Sequence, residues 1–281
     1  DPSYPCNRHF VTAAGGQARL LPCGPAQRFQ LDAQAVRQAW TPATRAVLLA
    51  SPSNPTGTCI APATLAELVA TVRELGGLTL VDEIYLELGF GDSPARSALA
   101  LGEDVIAVGS FSKYFGMTGW RLGWLVLPEE LVAPVEKLAQ NLYICASTIA
   151  QEAALACFTP ATLAQCDARV QTLRQRRDRV VSALESLGLP VPVVPDGAFY
   201  VWFDTRKHAG SSWDFCIDMM QRAHVALTPG RDFGHADTAR YARLSYACSD
   251  ATLDAALERL ARELGRASSV PPDPGRARRA G

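Results

Sequence analysis

Three short apolar runs constrain this chain more than any other feature, because each closes on polar residues with chemistry of their own. "TRAVLLASPSNPTG" (44–57) runs out into Asn54. "LTLVDEIY" (78–85) ends on Asp82 and Glu83, with Tyr85 just beyond. "DVIAVGSFSK" (104–113) ends in Ser110, Ser112 and Lys113. None of the runs alternates apolar with polar, which is the pattern of strands buried on both faces of a parallel sheet. Between the first two, "APATLAELVATVRELGG" (61–77) repeats leucine and valine at helical spacing and stops at glycines. Strand, helix and strand in that order predict a right-handed crossover and parallel pairing. Open parallel sheets bind ligands beyond the carboxyl ends of their strands. Those ends present an amide, a carboxylate and an amine along one edge.

The remainder predicts long helices over 128–158 and 161–188, then a change of pattern after Pro190. "AFYVWFD" (198–204) and "YARLSYA" (241–247) read as strands, and 212–224 and 250–267 as helices. The fold class is therefore α/β: a large domain with a mainly parallel sheet over 1–165, followed by a small α+β domain over 166–267. The Pro/Gly-rich basic tail, 268–281, reads as disordered. Arg169, Arg174, Arg176, Arg177 and Arg179 read as a solvated helix face. Trp120 and Trp124 read as packing residues.

Composition removes several function classes. The 281 residues carry a net charge of −1, which gives no electrostatic footprint for nucleic acid or an anionic membrane. No apolar stretch reaches the length of a membrane span. Eight cysteines without a CxxC pair read as reduced thiols of a cytoplasmic protein. The four histidines have no metal-ligand spacing, so no metal is expected.

Lys113 is the residue to explain. A lysine after a strand is ordinarily solvated. Ser110 and Lys113 match the Ser-x-x-Lys nucleophile pattern, but that pattern needs a serine at a helix start and a KTG partner, and neither is present. The other chemistry is a Schiff base between the lysine and a carbonyl cofactor. Pyridoxal phosphate needs a buried carboxylate at its ring nitrogen, and Asp82 is available. Its phenolic oxygen needs donors, and Asn54 and Tyr85 supply them. Its phosphate needs hydroxyls and a forked cation, for which Ser110, Ser112 and Arg121 lie close in sequence. An amino acid substrate needs a cation for its carboxylate. Arg243 sits mid-strand among apolar residues, a costly place for a charge with no ligand.

"SPSNPTG", "VDEIY", "SFSKYFGMTGWRLGW", "GAFYVW" and "ARLSYA", in that order, resemble the class I/II aminotransferases of the fold-type I pyridoxal phosphate enzymes. The resemblance runs from residue 1 to about 265. It implies an enzyme that moves an amino group between an amino acid and a 2-oxo acid. It also implies a homodimer with its active site at the subunit interface. It assigns the cofactor Schiff base to Lys113 and the pyridinium partner to Asp82. It places Asn54 and Tyr85 at the phenolic oxygen, Ser110 and Arg121 at the phosphate, and Arg243 at the substrate carboxylate, with Ser112 a looser match.

The resemblance further implies an N-terminally truncated chain. The segment absent from it is expected to hold a glycine-rich phosphate-binding turn and the aromatic that stacks on the cofactor. Two alternatives share the same residues or fold. One is a fold-type I lyase or synthase. The other is a non-catalytic fragment, or the sensor domain of a transcription regulator. No residue singles out one amino acid substrate.

Overall fold

The computed structural model describes residues 1–91 and 96–267; the tail predicted to be disordered lies outside the described residues. The helices are α1 (Pro5–Ala13), α2 (Ala33–Ala39), α3 (Pro62–Glu74), α4 (Glu129–Leu142), α5 (Thr148–Leu155), α6 (Pro160–Ser186), α7 (Ser212–Asp218) and α8 (Asp250–Ala267). The strands are β1 (Ala46–Ala50), β2 (Leu78–Asp82), β3 (Val105–Ser110), β4 (Gly123–Val126), β5 (Tyr200–Asp204), β6 (Thr228–Pro229) and β7 (Tyr241–Ser245).

The first sheet has the order β1-β2-β3-β4. The first three strands pair in parallel, with Ala50 opposite Asp82 and Asp82 opposite Val108. The crossover between β1 and β2 is α3. Pro62 opens that helix, where a missing N–H costs nothing, and Leu68, Val69, Thr71 and Val72 form its buried stripe. Leu68 and Val72 pack with Leu49 of β1, and Val69 packs with Val81 and Val105 of β2 and β3. Gly76, at φ 73, then turns the chain into β2. β4 returns antiparallel, with Gly123 opposite Ser110. Its Trp124 indole lies over Gly109 where a side chain would otherwise stand, and its ring packs on Phe111 at 5.0 Å. Both Trp120 and Trp124 nonetheless keep a large exposed fraction, 45% and 39%.

The second sheet is antiparallel, in the order β5-β7-β6. Val201, Phe203, Leu244 and Tyr246 join Val180 and Leu184 of α6, Phe215 of α7 and Leu253 and Leu260 of α8 in the largest core cluster.

Two expectations need correction. The helix predicted over 128–158 is two helices. The amides of Tyr143 and Ile144 both donate to Ala139 O, and Ile144 takes φ 72, a left-handed helix stop. The arginine face of α6 is also more than a solvated stripe. Arg176 and Arg179 reach Asp250, and Arg177 covers the Phe90 ring and donates to Pro195 O. Arg169 donates to the buried Cys166 thiol.

One close approach brings the two sheets together. Gly57, in the loop after β1, accepts from both Asp196 N and Gly197 N at 2.9 Å. A Cβ at Gly57 would strike Pro195 and the Gly197 carbonyl, and its φ of 67 disfavours any side chain. The loop carrying Asn54 is thereby held against the entry to β5.

Candidate active site

The strand ends deliver their side chains as the parallel pattern requires. Asn54 is buried in the turn after β1. Asp82 closes β2, and its carboxylate accepts from Ile84 N at 3.2 Å. Burial pushes the Asp82 carboxyl above the usual carboxylate range; the Ile84 amide and the Lys113 charge offset part of that. Glu83, the next residue, points the other way, as strand alternation demands. It binds Ser97 Oγ at 2.7 Å and Ala98 N at 2.6 Å, so it anchors a loop and takes no part in the site.

Lys113 follows β3 and is half-buried. Its Nζ stands 5.5 Å from the centroid of the Tyr85 ring and 5.8 Å from that of Phe199. Burial lowers the pKa of its ammonium, and the charges of Arg121 and Arg243 lower it further against the pull of Asp82. An amine so placed carries a larger neutral, nucleophilic fraction than a surface lysine.

The Ser110 hydroxyl accepts from Ser112 N at 3.0 Å, which leaves its own proton to donate. Ser112 is buried, and its carbonyl takes the Thr118 hydroxyl at 2.7 Å. The structure thus gives Ser112 a loop-forming role. Arg121 sits at a left-handed φ of 53 on the exposed side of the same loop and spends one donor on Thr118 O at 2.8 Å.

Tyr85 is buried, and its hydroxyl lies 2.9 Å from that of Tyr200. Burial drives its pKa far above the ordinary phenol value, with Tyr200 and Asp82 adding to the effect. Tyr85 is therefore a protonated donor at any working pH.

Arg243 comes from β7. Its Nη1 donates to Asn54 Oδ1 at 2.7 Å and its Nη2 to Thr228 Oγ1 at 3.2 Å. Its guanidinium carbon lies 4.3 Å from the Tyr200 ring centroid and 4.9 Å from that of Phe233. The Nε is buried without a hydrogen-bond partner. A guanidinium has five N–H donors, and among the described residues no carboxylate pairs with this one. Its remaining donors are free to meet an anionic ligand.

The structure brings together Asn54, Asp82, Tyr85, Ser110, Lys113, Arg121 and Arg243. It adds three residues to which the sequence assigned no role. Thr228 lies opposite Arg243 in the β6–β7 register and carries no local signal. Tyr200 was visible only as a letter of "GAFYVW". Tyr4 feels Tyr200 and Arg243 electrostatically, although its bond to the Cys6 thiol is the larger cause of its raised pKa.

All eight cysteines are unpaired. Among the described residues there is no cluster suited to a metal and no helix long and apolar enough to cross a membrane.

The edge of this α/β sheet gathers a part-desolvated lysine, a buried carboxylate, a protonated phenol and, among the described residues, a guanidinium with no carboxylate partner, the side chains of a lysine-centred enzyme site. The chain belongs to the class I and II aminotransferase family, whose model matches residues 1–260. It is 36% identical over 260 residues to a valine–pyruvate aminotransferase of Mycobacterium tuberculosis, covering 92% of this chain and 67% of that protein. It is 37% identical over 273 residues to an aspartate/prephenate aminotransferase of Thermus thermophilus, covering 94% and 67%. Among solved structures it superposes on an aminotransferase from Mycobacterium tuberculosis with a TM-score of 0.89 at 36% identity, covering 95% of this chain and 69% of that one. Its fold is that of the fold-type I aminotransferases. The chain spans about two thirds of the length of these curated relatives.

Proposed function

We propose that this protein is a pyridoxal phosphate-dependent aminotransferase, moving an amino group between an amino acid and a 2-oxo acid. The observation that carries the reading is the Lys113 amine, part-desolvated beside two arginines and facing the Asp82 carboxylate. The residues present fit the cofactor. Lys113 holds its aldehyde carbon, and Asp82 keeps its ring nitrogen protonated. Tyr85 and the amide NH₂ of Asn54 donate to its phenolic oxygen. Ser110 and Arg121, with Ser112 behind them, take the phosphate. When bound, pyridoxal phosphate supplies an electron sink for a bond at the amino acid's α-carbon.

The protein's own part is orientation and proton handling. Arg243 binds the substrate carboxylate and, with Asn54 and Thr228 holding its fork, fixes the angle at which the α-carbon is presented. Once the substrate's amine had displaced it from the aldehyde carbon, the freed Lys113 Nζ would accept the α-proton and return it.

A division into a large part over 1–165 and a small part over 166–267 is supported by the two sheets, one on each side of it, although the boundary falls inside α6, whose later turns pack with the second sheet. A second copy of the chain forms a homodimer. The exposed apolar residues Leu125, Val126, Leu138 and Leu142 of β4 and α4 support that reading. The eight free thiols support a cytoplasmic setting.

The test is a half-reaction. Protein loaded with pyridoxal phosphate and given one amino acid should release one equivalent of its 2-oxo acid, and a second 2-oxo acid should restore the original spectrum. Loss of a β- or γ-substituent instead would assign a lyase.

Asp82 yields a second expectation. Its folded pKa lies above the value of 3.8 it has unfolded. The stability it contributes is therefore complete below that pH and is lost as pH rises through the folded value. At neutral pH the cofactor-free fold carries a buried carboxylate that the Ile84 amide and the Lys113 charge only partly compensate. Asp82→Asn should melt higher than wild type near pH 7 without cofactor, and the difference should vanish near pH 3. The same variant should bind pyridoxal phosphate about 10- to 100-fold more weakly, the size of a lost charge-assisted hydrogen bond. Equal affinity in a fluorescence titration would remove Asp82 from the cofactor site.

A further inference from the structure

β5 alternates strictly, so Tyr200 and Trp202 share one face of the second sheet, and Trp202 lies opposite Arg243 in the register. That register sets the Tyr200 ring beside the Arg243 guanidinium, at 4.3 Å. The far end of the same ring reaches the first sheet, where its hydroxyl meets that of Tyr85 at 2.9 Å. Tyr200 is buried, so neither contact is diluted by water. One side chain thus touches the cation of one sheet and the phenol of the other.

A cation over a phenol ring withdraws charge from it and makes the hydroxyl a stronger donor. Burial raises the pKa of both tyrosines. Tyr200 is eased back by its bond to Tyr85 and by Arg243, whereas Tyr85 is raised further by Tyr200 and Asp82. The 2.9 Å bond can be filled from either hydroxyl, and with Tyr200 as donor the polarisation runs from Arg243 towards Lys113. The Tyr85 proton is then free to point into the site beside Lys113.

We propose that Tyr200 is a positioning residue that carries the charge state of Arg243 to the hydroxyl of Tyr85. Occupation of Arg243 by a carboxylate weakens Tyr200 as a donor, and Tyr85 in turn becomes a weaker donor. Its consequence for the cofactor rests on the reading above, that Tyr85 serves the phenolic oxygen. The other charged or titratable groups facing this pair are Asp82, Lys113, Tyr4 and Asp232.

The test uses the full chain without cofactor, with tyrosine labelled by ¹³C at Cζ and the Tyr85 resonance assigned through Tyr85→Phe. Arg243→Gln should move that resonance, while Arg243→Lys, which keeps the charge, should leave it near its wild-type position. On a Tyr200→Phe background, Arg243→Gln should add nothing. An equal displacement in both backgrounds would mean a direct field from Arg243 and would overturn the relay, as would no displacement at all.

A second measurement follows the pH at which the absorbance of bound pyridoxal phosphate changes. Tyr200→Phe should raise it by about half to one unit, the scale of one hydrogen bond, and should have no effect once Tyr85 is Phe. If Tyr85→Phe itself fails to shift that titration, the cofactor assignment of Tyr85 is wrong, and the resonance experiment still decides the relay.

Discussion

Lys113→Ala is expected to leave no covalent attachment at all. Wild-type protein mixed with pyridoxal phosphate and reduced with borohydride should carry one pyridoxyl group on the peptide containing "SFSK", and the alanine variant none. Turnover should fall by about 10⁴-fold or more, because the change removes both the covalent anchor and the proton carrier. The wild-type reaction should also depend on pH in a defined direction. Since burial, Arg121 and Arg243 lower the lysine's pKa below its ordinary 10.5, labelling should reach half its maximum below that pH. In the Arg121→Gln variant the midpoint should rise, because one of the two depressing charges is gone. Labelling that persists in Lys113→Ala, or appears on another lysine, would end the assignment of Lys113.

The second large effect belongs to Arg243. Arg243→Leu removes the charge together with the guanidinium's contacts on the Tyr200 and Phe233 rings. The specificity constant for amino acids should fall on the order of 10²–10³-fold, the usual loss when a buried charge pair is broken. Most of the change should appear in KM. Arg243→Lys should recover part of it, without the fork that Asn54 and Thr228 hold in place. The cofactor-free Leu variant should also melt higher than wild type, because a buried guanidinium without a carboxylate partner is costly to keep. An amino acid specificity constant within a few-fold of wild type would remove Arg243 from substrate binding. A Leu variant that melts higher and loses amino acid specificity would make Arg243, like Asp82, a group that destabilises the cofactor-free fold and is kept for its ligand.

Much of this was legible before any coordinates. The parallel core could be read because strands buried on both faces lose their alternation, and because a helix of crossover length with glycines at its end leaves one topology open. Asp82, Lys113 and Asn54 could be read as neighbours because strands of one parallel sheet end on one edge. The break at Ile144 was missed. The leucines and alanines on either side keep helical spacing, and only the doubled capping bonds onto Ala139 O end the helix. The arginines of α6 were misjudged because their acceptors, Asp250 and the Pro195 carbonyl, lie far away in the chain.

By itself the sequence determined the chemistry available: which side chains exist, how they are spaced and which of them end a strand. Those properties are local, set by periodicity and by turn residues. Only the tertiary structure decided who holds whom. Arg243 meets Asn54 across 189 positions, and Tyr85 meets Tyr200 across 115. Such contacts depend on how two sheets seat against each other around the close approach at Gly57. That seating is a balance of packing over the whole chain, and no short stretch of sequence encodes it.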